Sequence, residues 1–137
     1  TGRHDYDRQK TWYANHPEAP VRLSSFIDKM GEAYQWADIV VCRAGAMTVS
    51  ELAHTGKPVI FIPYPYLNDQ HQAHNAQALI DKGQAILLRQ NEHTGTKLTQ
   101  LLTDFMDAPN TLKAMNQPVS KKQSAAKLVL DACIDSC

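Results

Sequence analysis

Short apolar runs and apolar stripes at helical spacing alternate along this chain, and their order predicts its elements. Tyr6, Tyr13 and the stem of Lys10 share a face between Asp5 and Asn15, and Pro17 and Pro20 forbid that helix from continuing. Val21 to Ile27 has strand composition, and a helix from Asp28 carries Met30, Ala33, Tyr34 and Ala37 at core spacing. Ile39-Val40-Val41-Cys42 reads as a buried strand, broken by Arg43-Ala44-Gly45-Ala46 just before Thr48 opens a helix. Pro58 to Pro63 reads as a second strand, parallel to the first if the helix between them is a crossover. Asp69 to Lys82 follows as a helix with Ala73, Ala76, Leu79 and Ile80 in its stripe, then Ala85 to Leu88 as a third short strand. Leu98, Leu101, Leu102, Phe105 and Met106 give an amphipathic helix ended by Pro109, Leu112 and Met115 mark a short one, and Ala125 to Cys133 a last one.

Strands alternating with helices in this way predict an α/β fold, a parallel sheet with flanking helices and right-handed connections. In such sheets ligands sit beyond the carboxyl ends of the strands. Phe26-Ile27, Arg43 to Glu51 and Tyr64 to Asn75 all fall there.

Two of the predicted helices begin with chemistry that has both a structural and a ligand-binding reading. Thr48 and Glu51 have the spacing of a capping box, and Gly56 and Pro58 supply the stop. The turn Gly45 to Thr48 is either a tight strand-to-helix connection or a seat where backbone N–H groups meet a pyrophosphate, Gly45 allowing close approach. Glu51 either completes the box or accepts hydrogen bonds from a ribose diol. On the next helix, Gln72 either completes a box with Asp69 or presents its amide to sugar hydroxyls, with His71 and Asn75 beside it at i, i+4. Arg43 either balances diphosphate charge or pairs with Glu32 or Asp38. Phe26 and Ile27 are core residues by default.

Composition narrows the ligand. Fourteen basic and fourteen acidic residues cancel, which argues against a general nucleic-acid binder. No apolar run approaches the ~20 residues of a spanning helix, and no signal peptide opens the chain, so a cytosolic setting is the expectation. Cys42, Cys133 and Cys137 offer neither an even disulfide framework nor a zinc spacing. His71 and His74 with Asp69 lack a third His or Cys ligand, so no metal is expected.

Ala37-Asp38, Arg43-Ala44-Gly45-Ala46-Met47-Thr48-Val49-Ser50-Glu51, Gly56-Lys57-Pro58, Pro63-Tyr64-Pro65, Asp69-Gln70-His71-Gln72 and Asn75-Ala76, in this order and spacing, resemble the MurG family. These are the UDP-N-acetylglucosamine transferases that complete lipid II in peptidoglycan synthesis. The resemblance runs from about Gly2 to near the C-terminus. It implies the Rossmann-like C-terminal half of a GT-B inverting glycosyltransferase, residues 1–137 forming a partial UDP-sugar-binding domain. It also implies a substrate set of Ile27, Ala46, Met47, Thr48, Val49, Ser50, Glu51 and Gln72, with Phe26, Arg43, Gly45, His71 and Asn75 as secondary contacts. Glu51 would take the ribose, Gln72 the N-acetylglucosamine, and Ile27 with its apolar surroundings the uracil.

The resemblance further implies no cofactor, a lipid I acceptor held by an N-terminal domain, and a peripheral position on the cytoplasmic face of the bacterial inner membrane. The start at Thr1, directly ahead of a helical pattern, predicts a truncated beginning: the acceptor domain, its general base and a GGSxGA-type loop are not in these residues. Such a chain is expected to be inactive alone and to expose apolar faces of Val40, Ile60 and Ile62. Another UDP-sugar transferase of the same fold, such as a glycolipid synthase, and a non-catalytic subunit of a split transferase are the competing readings.

Overall fold

The computed structural model describes residues 2–65 and 69–116, so the helix expected at Ala125 to Cys133 lies outside the described residues. The chain divides into two compact units, residues 1–37 and 38–137.

In the first unit, α1 (Tyr6–Ala14) and α2 (Met30–Trp36) form where the apolar spacing places them. The strand expected at Val21 to Ile27 does not form. Its main chain is engaged locally: Val21 N–H donates to Ala19 O, and the Ser24 hydroxyl donates to Phe26 O. Serine side chains that satisfy nearby backbone compete with a strand ladder, and here they win. Phe26 and Ile27 are both exposed.

The second unit is built on three parallel strands, β1 (Val40–Cys42), β2 (Val59–Phe61) and β3 (Ala85–Leu87), in the order β1-β2-β3. Val41 lies opposite Ile60, and Ile60 opposite Ile86. Two crossover helices, α3 (Ala46–Thr55) and α4 (Asp69–Asp81), join them; α3 packs on α4 and α4 on β3. Then come α5 (Thr94–Asp107) and α6 (Pro109–Met115), packed on each other.

All three residues of β2 are buried, as expected of a central parallel strand covered on both faces. Ile60 joins Leu88, Phe105 and Met115 in one cluster, flanked by half-buried Ile62, Ile86, Leu98 and Leu101. By alternation Val59 and Phe61 face the other side. Ile60 is therefore not an exposed face: α5 and α6 supply its cover, and Ile62 packs on the same cluster. Met106 is exposed, so the stripe of α5 ends at Phe105.

Helix boundaries correct the sequence reading at two places. α3 starts at Ala46, with Gly45 at its N-cap in extended geometry and no side-chain cap. Thr48 is thus already inside the first turn, and Glu51 lies a full turn too late for a capping box. Pro109 does more than stop α5: it opens α6 at a first-turn position, where a missing N–H costs nothing.

The helix stops follow the glycines. Gly56 ends α3 at φ 68°, and Gly83 follows α4 at φ 71°. Gly83 N–H bonds Ile80 O and Gln84 N–H bonds Leu79 O, a Schellman pair. The Gln84 side chain, 2% exposed, donates from Nε2 to Leu52 O at 3.1 Å and Lys57 O at 3.0 Å. It thereby closes the end of α3 from the start of β3.

Candidate functional site

Beyond the carboxyl ends of β1 and β2, the main chain presents a set of N–H groups and a set of polar side chains. The first intrahelical bond of α3 runs from Val49 N–H to Gly45 O at 2.9 Å. The N–H groups of Gly45, Ala46, Met47 and Thr48 precede it and have no partner within the helix. With no side-chain cap and no acidic residue in the first turn, this end of the helix keeps its full positive dipole. Gly45 has φ −68°, open to any residue, and a Cβ there would meet only Thr48 Oγ1 at 4.0 Å. The fold does not need glycine at this position, but a close-lying ligand would.

Along α3, the run Ala46 to Glu51 splits by helical phase. Val49 and Leu52 are buried, while Ala46, Met47, Ser50 and Glu51 are exposed and Thr48 is half-buried. Val49 thus offers a ligand neither its side chain nor its N–H. Glu51 projects from the face that also carries Met47, one turn earlier.

On α4, Gln72 Oε1 accepts from Tyr64 N–H at 3.1 Å, holding the segment after β2, and the side chain of Asp69 lies outside the described set. Asn75 Nδ2 donates to Ala44 O at 3.4 Å, bracing the turn ahead of α3. His71 belongs to α4 by its backbone, and its side chain lies outside the described set.

Arg43 does not pair with Asp38, and Glu32, in the first unit, meets Lys29 at 2.9 Å. Arg43 Nη1 donates to Ile62 O at 2.9 Å, Pro63 O at 3.0 Å and Gln90 Oε1 at 2.6 Å. The guanidinium also lies over the Tyr64 ring, 5.1 Å from its centroid. Tyr64 was read only as part of a strand stop and a family motif, and Gln90 drew no contact role, because a strand stop and a polar turn carry no chemical signature.

An open cavity of about 350 Å³ adjoins these strand ends, lined by Val41, Cys42, Arg43, Ile62, Gln90 and Thr94. Burial pushes the Cys42 thiol up to about 11. Among the described residues no group of three or more His, Cys, Asp or Glu is placed to hold a metal ion. Phe26 and Ile27 belong to the first unit.

Comparison with known proteins places this arrangement in context. Residues 1–129 match the glycosyltransferase family 28 C-terminal domain. A UDP-N-acetylglucosamine–N-acetylmuramyl-(pentapeptide) pyrophosphoryl-undecaprenol N-acetylglucosamine transferase of Myxococcus xanthus is 41% identical over 137 residues, covering 98% of this chain and 36% of the relative. The protein of the same name from Lawsonia intracellularis is 51% identical over 88 residues, 64% of this chain and 24% of its own length. The crystal structure of Acinetobacter baumannii MurG superposes with a TM-score of 0.77 at 33% identity, over 99% of this chain and 41% of that one. The chain spans little more than a third of the length of these relatives.

Proposed function

The chain belongs to the glycosyltransferase family 28 C-terminal domain family, and within it to the MurG group; from that premise we propose that it is the donor-binding part of an enzyme that transfers N-acetylglucosamine from UDP to lipid I. The observation that carries the reading is the uncapped start of α3, with Glu51 exposed one turn on. Four unpaired N–H groups suit a diphosphate, and a carboxylate about a turn and a half along the helix is spaced for the diol of the attached ribose. The start of α3 at Ala46 takes the capping-box role away from Glu51.

Transfer to a hydroxyl breaks the bond between the anomeric carbon and the diphosphate oxygen, and negative charge builds on the departing UDP. The amides of Gly45 to Thr48 are already oriented toward that charge, so the leaving group is stabilised without reorganisation. An attack from the opposite side of the sugar inverts the anomeric centre. The base that takes the acceptor proton belongs to the domain that binds lipid I, and this reading places that domain outside these residues. A peripheral position on the cytoplasmic face of the inner membrane follows from the lipid acceptor. Among the described residues no helix is long and apolar enough to cross a membrane.

A transfer assay with UDP-N-acetylglucosamine and a lipid I analogue, run on this chain and on one extended upstream by its native sequence, tests the proposal. Turnover is expected from the extended chain only. Equal turnover by the 137-residue chain would overturn the division of labour. Preference for another UDP-sugar in a binding series would favour a glycolipid synthase instead.

A further inference from the structure

Arg43 sits where three strand ends meet, and its contacts form a continuous path to Gln72. Its Nη1 carries two hydrogens and meets three acceptors, Ile62 O, Pro63 O and Gln90 Oε1, so one hydrogen is shared. The ring of Tyr64 lies against the guanidinium, and the N–H of the same residue donates to Gln72 Oε1. An amide side chain is ambiguous, since either end can face a ligand. An N–H on Oε1 fixes the flip of the amide, so Nε2 is the donor end turned away from Tyr64 and Oε1 keeps one lone pair.

We propose that Arg43 is a positioning residue for the donor sugar: by fixing Pro63 and Tyr64 it holds the N–H that orients Gln72, and so governs sugar discrimination without touching the diphosphate. This rests on the donor-binding reading above. It gives Arg43 a duty that depends on shape and not only on charge. A guanidinium is planar, spreads its donors in a fork and stacks on an aromatic ring; a lysine ammonium carries the same charge without that geometry. Arg43→Lys therefore separates positioning from diphosphate binding.

The experiment combines two readouts on the 137-residue chain, its Arg43→Lys variant and its Gln90→Leu variant, each checked for folding by circular dichroism. The first is hydrogen exchange at Tyr64 N–H, measured without ligand. The second is calorimetric titration with UDP and with UDP-N-acetylglucosamine. In Arg43→Lys the Tyr64 amide is expected to exchange about fivefold faster, and affinity for the sugar nucleotide to fall about fivefold relative to UDP, the worth of one net hydrogen bond. Gln90→Leu moves both readouts the same way by less. Unchanged exchange at Tyr64 in both variants would overturn the link. Equal loss of UDP and sugar-nucleotide affinity in Arg43→Lys would make Arg43 a diphosphate ligand and overturn the proposal. If the parent chain binds neither nucleotide, the donor reading falls and the sugar role with it, while the exchange data separately decide whether Arg43 holds Tyr64.

Discussion

Asn75 Nδ2 and Ala44 O, 3.4 Å apart, join the second turn of α4 to the turn ahead of α3 across 31 residues of sequence. The contact makes Asn75 a brace for the turn ahead of α3, although its residue type first suggested a sugar contact. Asn75→Ala is expected to lower affinity for UDP and for UDP-N-acetylglucosamine by the same factor, because the turn drifts for both. Calorimetry on the two ligands checks this. A loss confined to the sugar nucleotide would return Asn75 to the sugar.

Gln72 is expected to behave differently. Gln72→Ala should cost about 1 to 3 kcal/mol in UDP-N-acetylglucosamine binding and spare UDP. Gln72→Glu keeps an acceptor for Tyr64 N–H and removes the amide donor, so it should lose the sugar increment while leaving the segment after β2 in place. Full sugar affinity in the Glu variant would mean that holding Tyr64 is all Gln72 does.

For Glu51, the position of the α3 start removes the capping-box contribution from the balance. Glu51→Gln should weaken UDP binding and leave the melting temperature where it was. A lowered melting temperature with intact affinity would assign Glu51 to the fold.

Gly45 offers a test with almost no structural background. Its φ is ordinary and a Cβ would meet nothing closer than 4.0 Å, so Gly45→Ala should cost only the small N-cap preference of Gly over Ala. A methyl group against the amides should nevertheless obstruct a diphosphate. Unimpaired UDP binding in this variant would place the phosphates elsewhere.

Cys42 predicts a pH dependence. Burial raises its thiol from 9.0 to about 11, so the folded chain keeps a proton that the unfolded chain releases first. Below pH 9.0 the group has no effect on stability; as pH rises from there toward about 11, stability falls. Melting curves across that window should show a smaller decline for Cys42→Ala than for the parent chain. Parallel declines would mean that the thiol titrates normally.

The order of elements from β1 to α6 was legible because the apolar runs are short, bounded by glycine and proline, and spaced for a parallel sheet. Gly56 and Gly83 sit at positive φ, where a residue without a Cβ is the low-cost choice, so the sequence announces those stops. Val21 to Ile27 misled because composition does not reveal that Ser24 will bond its own neighbourhood. Thr48 and Glu51 misled because a capping-box spacing can occur one turn inside a helix whose true first residue is unmarked. The division of the expected site residues into those that brace neighbouring main chain and those that do not was not legible. That division depends on contacts such as Arg43 to Gln90, 47 residues apart, which no local pattern encodes.

Gln84 at the far end of α3 and Asn75 just ahead of its start give that helix the mechanics of a beam held at both ends. One end is clamped to the root of β3 through Leu52 O and Lys57 O, and the other is braced at Ala44 O. In a beam of this kind, the direction of either end depends on both clamps. Loosening the Gln84 clamp, as Gln84→Leu would, should therefore tilt the amides at Gly45 by acting some ten residues away, and blunt anion affinity without altering a single atom that the anion meets.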